Sequence, residues 1–199
     1  MLGVKMPAVR AWARSLSDRE RTAFLADLPH RYVEENQAHV VLIGEMADFD
    51  QARQALLDFA PFADNWAVTD VLKSKAFGQD SRTEQLALEL LSHDNPYGIR
   101  MGMLVLMRYF LKTDPHLPEV LACDRSHDTL SMLTAWYLAE LAVTDPAVVL
   151  EHVNELDWLS AKRLGQKVRD SRRIPADVKN QVTAAVNEVK ARCKGISRT

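Results

Sequence analysis

Apolar residues recur at three- and four-residue spacing along nearly the whole chain, and no segment alternates cleanly with period two. The pattern predicts an all-α protein. Ser17-Asp18-Arg19-Glu20 has the form of a capping box, opening a helix over 17–25 that Pro29 closes. A long helix is expected over 30–46, with Val33, Val40, Val41, Ile43 and Gly44 on its buried side. Asp48 or Asp50 starts the next, which bears Ala52, Leu56, Leu57 and Phe59 and stops at Pro61. Asp64 is the expected cap of a helix that holds Trp66, Asp70, Val71 and Leu72 and runs out near Gly78. Asp80 or Ser81 opens an amphipathic helix to Ser92.

Asn95-Pro96 joins a cap to a proline at the first helical position and launches a very apolar helix over 97–112. Met101, Met103, Leu104, Val105, Leu106, Met107, Tyr109 and Phe110 leave that helix little polar surface, so deep burial is expected. Pro115 and Pro118 mark a turn before a short helix over 117–123, and Ser126 or Asp128 opens an apolar helix through Val143. Thr144-Asp145-Pro146 repeats the capped-proline start, and helices over 148–154, 160–170 and 176–193 complete the chain. Helices in antiparallel pairs, joined by short turns with prolines at the openings, predict an α-solenoid. No low-complexity linker interrupts it, so residues 1–199 read as one domain.

Composition narrows the class. A chain of 199 residues, 47% hydrophobic and 26% charged, can bury a substantial core and is not of the disordered type. Its two cysteines, Cys123 and Cys193, form no Cys-x-x-Cys or Cys/His cluster, which argues against a disulfide framework or zinc ribbon and for a reducing cytoplasm. No stretch has signal-peptide character or the length of a membrane span. Charge is uneven: residues 160–199 hold eleven Lys/Arg against three Asp/Glu, while the remainder holds 14 against 24. The basic run Lys162, Arg163, Lys167, Arg169, Arg172 and Arg173 can follow a phosphate backbone without reading sequence, or can be a solvated helix face.

Four residues carry the candidate chemistry. Trp66 and Asp70 stand one helical turn apart, and Arg100 and Trp136 follow at spacings close to a helical-hairpin repeat. Two aromatic faces, a carboxylate and a guanidinium at such intervals can line one face of an array. A guanidinium on so apolar a helix needs an anionic partner, and Asp70 is the obvious one. A second set joins His30 with Glu34 and Glu35 with His39 at i, i+4 spacing, with Asn36 beside them. These are groove polar residues or helix-stabilising pairs rather than a metal site, and no His-Glu-x-x-His motif is present. No glycine-rich phosphate loop and no Gly-x-Ser-x-Gly elbow occurs.

The segments running from Leu2 to Arg10, Leu28 to Asn36, Asp64 to Asp70, Tyr97 to Met103 and Ala135 to Leu138 stand in the order seen in the AlkD-like DNA alkylation repair proteins, which are built of HEAT-like repeats. The chain most resembles the short branch of that family, and the resemblance spans nearly its whole length. It implies an α-α superhelix with one concave face, and a DNA glycosylase acting on purines alkylated at N3 or N7, which carry a formal positive charge. By similarity, Asp70 takes the place of the catalytic carboxylate, Trp66 and Trp136 the aromatic walls against the deoxyribose, and Arg100 a phosphate contact. Alkylated double-stranded DNA is the implied partner, and no cofactor is implied. The helices that precede the Leu-Gly-Val segment in the longer glycosylases are expected to be absent. Leu138-Ala139-Glu140-Leu141 stands where those proteins carry basic residues. The other reading is a catalytically weak or inactive helical-repeat module that binds nucleic acid or a protein.

Overall fold

Local signals decide where most of the helices begin. In the computed structural model, which describes residues 2–196, the chain forms twelve α-helices, two short 3-10 helices and no strand among those residues. They are α1 (Met6–Ser15), α2 (Asp18–Ala26), α3 (Val33–Glu45), α4 (Phe49–Phe59), α5 (Trp66–Thr69), α6 (Ser81–Leu91), α7 (Pro96–Tyr109), α8 (Leu117–Ala122), α9 (Asp128–Leu141), α10 (Pro146–His152), α11 (Trp158–Asp170) and α12 (Ala176–Ile196). Ser17 and Glu20 close the reciprocal capping box of α2. Asp48, Asp80 and Asp145 each accept from backbone N–H groups in the first turns of α4, α6 and α10. Asn95 accepts from Tyr97 N–H at 2.9 Å, and its amide donates to the carbonyls of Ala60, Pro61 and Ala63. One side chain therefore starts α7 and ties down the end of the preceding 3-10 turn.

Several boundaries shift from the sequence expectation: α7 ends at Tyr109, α12 runs to Ile196, and the cap of α5 is Asn65 rather than Asp64; two further shifts have a visible cause. Residues 30–32 lie outside α3, because Glu35 accepts from the N–H groups of Arg31 and Tyr32 and so closes the helix start at Tyr32. The tryptophan helix ends at Thr69 instead of near Gly78. Lys75 N–H donates to Gly44 O at 3.0 Å, which takes the segment after Asp70 onto α3. That approach needs a glycine: a Cβ at Gly44 would lie 2.4 Å from the Lys73 carbonyl oxygen. The helix α1 precedes every element that the periodicity predicts.

The chain divides into two compact units, Met1–Val105 and Leu106–Thr199. In the first, α3 packs against α1, α2, α4 and α5. Ala38 through Gly44 are buried without interruption, so α3 is the central rod of that unit. In the second, α9 packs against α10 and α11, and α12 against α10 and α11. Leu138, Val149, Val153, Leu164, Val168 and Val182 form its fully buried core. Neighbouring helices pack on one another in each unit, as in a helical-repeat domain. No helix among the described residues is long and apolar enough to cross a membrane.

Candidate functional site

Three of the four residues singled out for chemistry lie in the first unit, and two of them meet directly. Asn65 accepts from Ala67 N–H at 2.8 Å and starts α5, which leaves Trp66 at the first helical position with 61% of its surface exposed. A single turn later Asp70 ends the helix, its N–H reaching Trp66 O. The short helix is fastened to α3 by Gln37, whose amide donates to Ala67 O at 3.0 Å, and by Asn36, whose amide reaches Asp64 at 3.4 Å.

Arg100 on α7 is 3% exposed and turns its guanidinium to Asp70. Nε donates to Oδ1 at 3.0 Å, and Nη2 to Oδ1 at 2.8 Å and to Oδ2 at 3.1 Å. Two nitrogens of a planar fork fix the plane of the carboxylate, which a lysine could not do. The Asp70 side chain retains 27% of its exposure. The arrangement is a carboxylate clamped from the buried side and open on another, one turn from an exposed indole. Chemically it offers fixed negative charge and a hydrogen-bond acceptor to a cationic centre or a water molecule.

Trp136 belongs to the second unit, on α9. Its indole Nε1 donates to Glu140 at 3.3 Å, and Lys167 lies over its ring, 5.8 Å from the centroid. Glu140 also accepts from Arg173 at 2.7 Å. Two members of the basic run thus gather around one half-buried tryptophan. Arg163 pairs with Asp128, and Arg169 donates to Gln166 at 2.8 Å. Lys162 and Arg172 are exposed. Gln37 is a neighbour of these candidate residues that the sequence reading passes over, and Glu140 enters it only as standing where the longer relatives carry basic residues. The only signal for Gln37 is a polar residue on an otherwise packed helix.

The His/Glu set divides differently from its i, i+4 spacing. The two imidazoles hold each other, with His30 Nε2 2.9 Å from His39 Nδ1, and His39 stacks on Phe59 at 4.5 Å. Burial, reinforced by the neighbouring His30, pushes the His39 imidazole down to about 3. His30 is also lowered, mainly by burial. Glu34 accepts from the N–H groups of Leu2 at 2.9 Å and Gly3 at 2.7 Å, and its carboxyl is lowered chiefly by the Leu2 bond. Glu35 serves the start of α3.

A family model described as DNA alkylation repair enzyme matches residues 1–177. No curated protein and no solved structure matches the chain.

Proposed function

The chain belongs to the DNA alkylation repair enzyme family, and from that premise we propose that it is a DNA glycosylase for cationic N3- or N7-alkylated purines in double-stranded DNA, of the short AlkD-like type. Cleavage of the C1′–N bond returns the bonding pair to the purine, which leaves neutral and needs little acid assistance. Positive charge then develops on the deoxyribose. Asp70 stabilises that oxocarbenium and positions the water that adds to C1′ with loss of a proton. Trp66 and Trp136 supply aromatic faces that favour a cationic neighbour.

The observation that carries this reading is the Asp70 carboxylate, clamped by buried Arg100 yet still open beside exposed Trp66. Preorganised charge is effective because it needs no rearrangement as the transition state forms. Arg100, expected as a phosphate contact, is on this reading a positioning residue for Asp70. Phosphate contacts fall to the basic run, above all exposed Lys162 and Arg172. That residues 1–199 act as one HEAT-like domain belongs to the same proposal.

The clamp also supports a second reading. A guanidinium already neutralises part of the charge that an oxocarbenium would feel, which suits a binding module without catalysis. Release of methylated purines from methylated duplex DNA separates the two. The glycosylase reading expects release by the wild type and a fall of roughly 10²–10³-fold in Asp70→Asn, the scale of losing one preorganised electrostatic group. Release by the wild type no greater than by Asp70→Asn overturns catalysis.

A further inference from the structure

Asn95 stands directly ahead of α7, five residues before Arg100, and the reaction proposed above makes no use of it. Its side chain is engaged at both ends. Oδ1 accepts from Tyr97 N–H at 2.9 Å, as the cap of a helix start does. Nδ2 faces three carbonyls, Ala60 at 3.0 Å, Pro61 at 3.1 Å and Ala63 at 2.8 Å, so its N–H groups serve the whole 3-10 turn. The backbone N–H of Asn95 is held in turn by His93 Nδ1 at 2.9 Å, and the His93 ring lies against Gly98, where a Cβ would come within 2.9 Å of it. A cap needs only the oxygen. The amide does what capping does not require, joining α7 to the segment that leads into Trp66.

That join closes a ring. From the turn the chain runs through Asn65 and the four residues of α5 to Asp70, and Arg100 ties Asp70 back to α7. The segment over 60–70 is thus fastened to one helix at both ends, at points five residues apart, about 7.5 Å of helical rise. One attachment leaves a segment free to pivot, and a second removes the pivot. A helix of a single turn cannot supply such rigidity from its own hydrogen bonds. Gln37 on α3 adds a third fastening at Ala67 O.

We propose that Asn95 is a positioning residue for the site: by holding the carbonyls of Ala60, Pro61 and Ala63 it sets where Trp66 stands and, together with Arg100, which way the Asp70 carboxylate faces. A group that acts through preorganised charge loses much of its effect when displaced by about 1 Å. The effect on rate rests on the reading of Asp70 as the catalytic carboxylate, whereas the effect on Trp66 does not.

Asn95→Asp and Asn95→Ser test the role in the full chain. Both keep an oxygen that can cap α7, and neither has the amide. If Asn95 were only a cap, both would behave as the wild type. The first readout is fluorine NMR of the protein labelled with fluorotryptophan, its Trp66 line assigned with Trp66→Phe. Both variants are expected to shift or split that line and to leave the Trp136 and Trp158 lines of the second unit in place. The second readout is release of methylated purines at saturating DNA, well below the melting temperature, where both are expected to be slower by about tenfold. A Trp66 line unmoved in either variant, or release at the wild-type rate in either, overturns the proposal. Absence of release by the wild type overturns the glycosylase reading instead, and the Trp66 line then decides for Asn95: movement supports its role, and an unmoved line overturns it. Should circular dichroism find Asn95→Asp unfolded, Asn95→Ser decides by the same readouts.

Discussion

Each unit has a tryptophan, a carboxylate and a guanidinium in one cluster, but the two clusters differ in which member is buried. In the first, the guanidinium is inside: Arg100 is 3% exposed, Asp70 partly open, and Trp66 61% exposed. In the second, the half-buried indole of Trp136 donates to Glu140, and Arg173 reaches the same carboxylate from solvent with 60% of its side chain exposed. A pair with one partner buried is rigid and costly to break, whereas an exposed pair is screened and contributes little. The same residue types therefore make a fixed charge in one unit and an adaptable surface in the other.

The largest expected contrast is chemical. Asp70→Asn is expected to cut release of methylated purines roughly 10²–10³-fold, while Glu140→Gln changes it about twofold or less. Equal losses would erase the distinction between the clusters. Thermal unfolding gives the next test: Arg100→Leu is expected to cost about 3 kcal/mol, at the low end for a broken buried pair because Asp70 keeps contact with solvent. Arg173→Ala is expected to cost less than about 1 kcal/mol.

Acid should act on the first unit through His39. Its folded-state value of about 3 lies below the ordinary imidazole value of 6.5, so the unfolded chain binds the extra proton first. The stability this histidine contributes is complete above that ordinary value and is lost as pH falls towards the folded one. At 1.36 kcal/mol per unit, about 2 kcal/mol is expected to be gone by about pH 5. Melting curves measured from neutral to acid pH check this, and His39→Phe, which keeps a ring against Phe59, should flatten the dependence. The smallest effect concerns the basic run. Lys162→Glu with Arg172→Glu is expected to weaken binding to undamaged duplex and lower its salt slope by about 2, at roughly 0.9 per phosphate contact. An unchanged slope would remove these residues from the DNA surface.

The helix starts at Ser17, Asp48, Asp80, Asn95 and Asp145 were legible because a cap reaches only two or three residues along its own chain. The pairing of Arg100 with Asp70 was also legible, since a guanidinium on an apolar helix demands an anion. The early end of α5 was not, because the carbonyl that accepts from Lys75 N–H and draws the chain away belongs to Gly44, on a different helix. Nor were the partners of the His/Glu set, where spacing points along one helix but His39 turns to His30, and Glu34 to Leu2 and Gly3, all three of which precede that helix.

The sequence by itself determined that this chain is helical, where most of its helices open, and which residues can carry charge or present an aromatic face. Those properties follow from backbone periodicity and side-chain chemistry, which are local. Only the tertiary structure decided that Arg100 clamps Asp70 from the buried side, that Trp66 is left in solvent, and that Glu34 turns to the N–H groups of Leu2 and Gly3. Exposure and pairing depend on which distant segments pack together, and packing is settled by the fold as a whole.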